Sequence, residues 1–233
     1  MRVLLTRPKE DARIVAEQLR EAGHEILSAP LLSVRFHDGP PLDLDGVQGV
    51  LATSANGVRA LARRTVRRDL PVFAVGPQTA KAARTAKFER VESADGDAAA
   101  LSEAVPDWAQ ADNGVLLHVA GAHSEGRLAS LLGAKYFEVR TELLYDVIAA
   151  DSLPAAVVKA LLEGTLDAAL FFSPRSARVF KDCIVRARLA QTCPGVIAIC
   201  ISKAAAQALL PLVFAECRIA AKPNQDALLA CLM

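Results

Sequence analysis

Several things are scarce in this chain, and each scarcity excludes something. Aromatic residues make up only 5% of it, with a single tryptophan. The interior must therefore be built from alanine, leucine and valine. No apolar run reaches the roughly 18 residues a membrane-crossing helix needs. Net charge is close to absent at +1, which removes the electrostatic footing for a nucleic-acid or membrane-surface partner. The five cysteines all lie in the last quarter, are odd in number, and form no Cys-x-x-Cys pair. They read as reduced, mostly buried thiols of a cytoplasmic protein. No His-Glu-x-x-His, Gly-x-Ser-x-Gly or phosphate-binding glycine loop occurs, and no Gly-x-Gly-x-x-Gly follows the first apolar run. Metal hydrolysis, serine-nucleophile chemistry and dinucleotide use thus lose their usual signatures.

What is present is alternation. Short apolar runs end in small polar residues and pass into stretches of helical spacing. At 233 residues with 52% apolar content, the chain can fill one large domain or two lobes of roughly 100 residues each. The clearest unit runs from Val50 to Leu61. A buried strand through Ala52 turns at Thr53, Ser54, Ala55 and Asn56, and a helix follows with Val58 and Leu61 on one face. Thr53, Ser54 and Asn56 are all favoured helix N-caps.

That unit is repeated. Ser54 and Gly57 correspond to Ser173 and Ser176 in Phe171-Phe172-Ser173-Pro174-Arg175-Ser176, and Val72–Gly76 corresponds to Ile197–Ile201. Arg90-Val91 resembles Arg218-Ile219, and Arg2–Leu5 resembles Gly114–Leu117. The offset drifts slowly about half the chain length, which marks a duplication into two α/β lobes rather than a solenoid. Between the copies, residues 30–38 are extended and break at Asp38-Gly39-Pro40-Pro41. Residues 139–150 form a second long extended stretch, preceded by a short strand from Tyr136 to Val139. Lobe one is therefore expected to be discontinuous, residues 1–29 with 151–233. Lobe two is expected to span 39–138, with 30–38 and 139–150 as a two-stranded linker. The charges that soon follow Met1–Leu5 make that segment a first strand rather than a leader. The basic run from Arg63 to Arg68 reads as a solvated helix end.

Taken in order, Leu5-Thr6-Arg7-Pro8, Thr53-Ser54-Ala55-Asn56-Gly57-Val58, Ala74-Val75-Gly76-Pro77-Gln78-Thr79-Ala80, Val139 to Tyr145, and Phe171-Phe172-Ser173-Pro174 resemble the uroporphyrinogen-III synthase family over essentially the whole length. One departure is Ile201-Ser202-Lys203-Ala204, where the family has a threonine-bearing turn; Ser202 or Lys203 stands in its place. The resemblance implies an α/β fold of two similar lobes, each a parallel sheet flanked by helices, flavodoxin- or Rossmann-like. It implies a cyclising lyase acting on hydroxymethylbilane, a linear tetrapyrrole with carboxylates on every ring. Water is removed, the macrocycle closes and ring D is inverted through a spirocyclic intermediate. No metal or organic cofactor is implied. The enzyme is expected to be a monomer in transient contact with the enzyme that supplies the bilane.

The residues make chemical sense of that implication. Loss of hydroxide from a pyrrolic carbinol gives a resonance-stabilised cation, so the main task is to hold the chain for the correct closure. Carboxylates can be held by helix N-termini without net positive charge. The binding set is then Thr6, Arg7, Thr53, Ser54, Asn56, Gly57, Gly76, Gln78, Thr79, Ser173, Ser176 and Ser202. Gly57 is expected to let the backbone approach the ligand, so that bulk there costs activity more than stability. Tyr145 is the candidate for chemistry, a phenol placed to donate to the departing hydroxyl. Among histidines, His118 reads as a satisfied core residue, and His123, in a glycine-bearing turn, is the better placed for a ligand. Two other classes remain at this stage. One is a non-catalytic two-lobed binder of an anionic small molecule, against which the charged N-terminal segment counts. The other is a nucleotide-dependent α/β enzyme, against which the missing glycine fingerprint counts.

Overall fold

The structure, a computed structural model, describes residues 1–122 and 126–232, with the backbone alone for 9–11. Strands and helices alternate almost throughout. The chain runs β1 (Arg2–Leu5), α1 (Lys9–Glu21), β2 (Glu25–Ser28), β3 (Leu32–Phe36), β4 (Val47–Ala52), α2 (Ala55–Arg64), β5 (Val72–Ala74) and α3 (Pro77–Thr85). It continues with β6 (Val91–Ser93), α4 (Ala98–Trp108), β7 (Val115–Gly121), α5 (Arg127–Gly133), β8 (Val139–Ala149), α6 (Ala155–Leu162) and β9 (Ala168–Phe171). It ends with α7 (Pro174–Arg186), β10 (Ile197–Cys200), α8 (Lys203–Gln207), β11 (Glu216–Ile219) and α9 (Gln225–Leu229). None of these helices is long and apolar enough to cross a membrane.

Two compact units result. One comprises Met1–Ser33 with Ile148–Met233, the other Val34–Val147. The first holds a five-stranded sheet in the order β11-β10-β9-β1-β2, parallel throughout. Parallel strands are covered on both faces, which is why β1 and β9 are continuous apolar runs. Val3 and Leu5 pack on one face with Val15 and Leu19 of α1, while Leu4 packs on the other with Val157, Phe171 and Phe180. The second unit holds a six-stranded sheet in the order β3-β8-β7-β4-β5-β6. Its five strands from β8 to β6 are parallel. Its core divides likewise, Val50, Val58, Leu61 and Leu117 on one face and Leu51, Phe73, Leu101 and Leu116 on the other.

The duplication is visible in the topology. The order β11-β10-β9-β1-β2 maps onto β6-β5-β4-β7-β8, strand for strand. The copies differ by a permutation, because β1 opens the chain whereas its counterpart β7 comes late in the other unit. In each unit the strand order reverses direction at one place, between β1 and β9 and between β4 and β7. The turns after those strands are the usual ligand-binding points of open α/β sheets.

Three local expectations change. Residues 32–36 and 139–149, expected as a two-stranded linker, are β3 and β8, which also belong to the second sheet, and the division into units falls within both strands. They run antiparallel, since the His37 amide bonds to the Leu144 carbonyl and the Ala150 amide to the Leu31 carbonyl. Tyr136 is not in a strand. It sits at φ 65° in a turn and is 89% exposed, and β8 begins only at Val139. The basic run is not merely solvated. The Arg63 guanidinium lies 4.3 Å from the Phe36 ring centre, Arg64 donates to the Pro40 carbonyl, and Arg68 donates to the Ala62, Thr65 and Ala86 carbonyls.

On the β3–β8 pair, Asp146 accepts from Arg35 at 2.7 Å and lies 3.1 Å from His37 Nε2, while His37 Nδ1 is 2.9 Å from the Leu143 carbonyl. Both ring nitrogens donate only in the imidazolium. The hydrogen bond to Asp146, then that to Leu143, accordingly raise the His37 pKa. His118 is the opposite case, its pKa lowered by burial. Linkage gives opposite signs. His37 stabilises the fold fully below its unfolded value, and the contribution fades as pH rises through the folded value. His118 withdraws stability as pH falls below its unfolded value. A His37→Gln variant should therefore melt below the parent by a margin that is full below the unfolded histidine value of about 6.5 and shrinks as pH rises above it. A margin that does not change with pH in parallel melting curves would show that the ion pair is irrelevant to stability.

Candidate functional site

Both units carry their candidate residues where parallel strands hand over to helices. In the second unit, Ser54 is the N-cap of α2, extended at φ −153° and ψ 153°, and its hydroxyl accepts from the Gly57 amide at 3.0 Å. In the first unit, Ser173 caps α7 at φ −161° and ψ 154° and accepts from the Ser176 amide at 3.1 Å. The duplicated sequence thus makes a duplicated cap. Ser202 caps α8, accepting from the Ala205 amide, while Lys203 is exposed. Gly76 caps α3 with no side chain at all, followed by exposed Gln78 and buried Thr79.

Gly76 has no steric reason to be glycine. Its φ is −169°, an ordinary extended value, and a Cβ added there would come no nearer than 3.9 Å to any atom, the Gly96 carbonyl oxygen. The amides at the start of α3 are left uncovered. No acidic side chain lies in the first turn of α2, α3 or α7. The positive ends of these three helices are thus uncompensated from within. By contrast α4 is capped by Asp97, which accepts from the Ala99 and Ala100 amides, and those bonds hold its carboxyl below the usual range.

Other candidates have internal duties. Thr6 is fully buried, and its hydroxyl donates to the Leu170 carbonyl at 2.6 Å, tying β1 to β9. Arg7 is half-buried. Its guanidinium lies 4.6 Å from the Phe172 ring centre and donates to Gln225 Oε1. Asn56 accepts from Arg59. Thr53 Oγ1 is 3.4 Å from Nε2 of His118, which is 2% exposed. Nδ1 of His118 has no partner among the described residues, so this histidine is only half satisfied. His123 lies outside the described residues. Among those described, no three His, Cys, Asp or Glu side chains gather as metal ligands.

Tyr145 is reached from an unexpected direction. It lies on β8, its ring is packed in the second unit's core, and it is 8% exposed. Its hydroxyl is 2.7 Å from Ser54 Oγ. Two devices place it there. Pairing between β7 and β8 slips between Ala120 and Gly121, so that Gly121 registers with Tyr145 and Leu144 is passed over. The slip lets consecutive residues Leu144 and Tyr145 both enter the core. Gly121 then lets the ring lie on bare backbone, since a Cβ there would be 2.8 Å from the ring. Neither Gly121 nor the Ser54 pairing stands out in the sequence, because both depend on strand register.

A family model described as uroporphyrinogen-III synthase HemD matches residues 14–230. The chain belongs to the uroporphyrinogen-III synthase family. Its fold is also that of solved structures with this name. The uroporphyrinogen-III synthetase of Helicobacter pylori aligns with a TM-score of 0.65 and 17% identity, over 99% of this chain and 97% of the other. A mutant uroporphyrinogen III synthase of Thermus thermophilus aligns with a TM-score of 0.55 and 16% identity, over 100% and 97%. No curated protein sequence matches. Family membership makes the chain a cyclising lyase of tetrapyrrole biosynthesis that closes hydroxymethylbilane to uroporphyrinogen III.

Gly57 is glycine for a different reason from the one its sequence context suggests. A Cβ there would lie 2.7 Å from the Val119 carbonyl oxygen, so the missing side chain lets α2 pack onto β7. Gly57→Ala should cost about 1–3 kcal/mol of stability through overpacking, read as a lower melting temperature. A variant that melts like the parent yet loses activity would return Gly57 to the ligand side.

Proposed function

We propose that hydroxymethylbilane is held chiefly through its carboxylates at amide-rich helix starts, which each unit offers by itself: those of α2 and α3 in the second unit, and that of α7 in the first. The observation that carries this is the set of three helix N-termini, each at least two turns long, capped by neutral residues and free of acidic side chains in the first turn. Such ends attract anions without net positive charge, which suits a polyanionic substrate on a chain of charge +1. Thr53, Asn56, Gly76, Gln78, Ser173 and Ser176 are the contacts at these turns. Arg7 adds a guanidinium, steadied by Phe172 and Gln225. Thr6 acts by tying its strand in place, and Ser202 offers a weaker end because α8 is short. Catalysis is then largely positional, with proton help from the Tyr145 and Ser54 hydroxyl pair. The protein works as a monomer in the cytoplasm, with only transient contact with the enzyme that supplies its substrate. Supporting a reducing compartment, its cysteines are free, and burial pushes the Cys193 thiol up to about 11 and raises those of Cys183 and Cys200.

Freshly prepared hydroxymethylbilane incubated with the protein should give isomer III in excess of isomer I; isomer I alone would reject the reading, and binding without turnover would favour a binder. Gly76→Asp tests the binding mode. A carboxylate at that N-cap should leave α3 as stable or stabilise it by about 0.5–1 kcal/mol. The same change should raise KM several-fold by repelling the substrate. An unchanged KM would remove the start of α3 from the site.

A further inference from the structure

The hydroxyl pair can be resolved further, on the reading that this chain turns over hydroxymethylbilane. Tyr145 and Ser54 share one hydrogen bond of 2.7 Å, and either oxygen could donate. The surroundings decide. The Tyr145 ring is buried against Gly121 and the core, and among the described residues Ser54 is its hydroxyl's only hydrogen-bond partner. Were Ser54 the donor, the phenol proton would be a buried donor with nothing to bond, a costly arrangement. With Tyr145 as donor, every buried proton is used. Ser54 Oγ then accepts from both the Gly57 amide and the Tyr145 hydroxyl, which fills its lone pairs. Its own proton is left over, on the half-buried member of the pair, at the start of a helix. Two accepted bonds also polarise that proton for donation.

We propose that Ser54 is the catalytic hydroxyl that meets the leaving group, and that Tyr145 is a positioning residue behind it, seated by Gly121. As the carbinol C–O bond breaks, its electron pair stays with oxygen. That oxygen takes the Ser54 proton and leaves as water. The Tyr145 proton refills Ser54. The proton lost from the pyrrole carbon on ring closure is taken by Ser54 Oγ, whose own proton passes back along the hydrogen bond to Tyr145, so the pair ends as it began.

The test compares Ser54→Gly, Ser54→Thr, Tyr145→Phe and the Ser54→Gly/Tyr145→Phe double variant in turnover of hydroxymethylbilane. Melting temperatures serve as the folding control. Glycine costs an N-cap only a few tenths of a kcal/mol, so Ser54→Gly should fold. Its kcat should fall about tenfold to a hundredfold, the low end for acid help, with KM little changed. Ser54→Thr, which keeps hydroxyl and cap, should recover most of that loss. Tyr145→Phe should lose less than Ser54→Gly, and the double variant should be no worse than Ser54→Gly alone. A solvent deuterium isotope effect on turnover, present in the parent, should vanish in Ser54→Gly. A merely structural role would leave it in place. If Tyr145→Phe is the more damaging, or if the two losses multiply in the double variant, the inference is overturned and Tyr145 meets the substrate itself. If the parent shows no turnover, the functional reading fails and this inference with it.

Discussion

Parallel strand pairing is the constraint on which the rest of this molecule depends. A parallel strand must be followed by a crossover, and here nearly every crossover contains a helix. Strands then end, and helices begin, along one edge of each sheet. Backbone amides that no helix can satisfy internally accumulate there. Sheet topology thus gathers hydrogen-bond donors along that edge without any cluster of cationic side chains. The neutral caps Ser54, Gly76 and Ser173 leave those helix ends positive, whereas Asp97 neutralises the end of α4, away from either point of strand reversal.

Side chains at this edge differ in how far the scaffold commits them. Thr6 is wholly committed to the sheet, and Gly57 to the packing of α2 on β7. Gly76 has no scaffold duty that its surroundings reveal. Ser54 carries two contacts at once, holding the Gly57 amide while meeting the Tyr145 hydroxyl. A residue type known to suit a helix start does not say which of these roles it has. The atoms that decide belong to strands distant in sequence.

That division sets how much could be read from the residues alone. Alternation of apolar runs and helical spacing is local, so the order of strands and helices was legible. The duplication was too, because it keeps cap and strand together as Ser54 and Ser173. Residues 30–38 and 139–150 were visible as extended, yet not as members of a sheet. β3 carries the alternation of a strand with one face in water, Leu32, Val34 and Phe36 against Ser33 and Arg35, but that pattern does not say which sheet the strand joins. Tyr136 looked like strand beside Phe137, but its left-handed backbone at φ 65° is set by the turn closing α5. Tyr145 was legible as an isolated phenol. Its partner was not, because the slip at Ala120 and Gly121 is a property of two strands together.

The permuted arrangement of the two copies has a consequence for how the chain comes into being. Strand β1 lies inside its sheet between β9 and β2, with Val3 in register with Ala168, and its only early neighbour is β2. During synthesis the first 33 residues emerge with one edge of β1 open. They must wait until β9 leaves the ribosome, far downstream. The other unit is continuous from Val34 to Val147 and can close while that wait goes on. Domains generally fold as units during synthesis, and distant pairings are slow to form. The unit that begins the chain is therefore the last to be completed. Until then the apolar run Val3-Leu4-Leu5 is the exposed strand that a chaperone, or a second nascent copy, would find first.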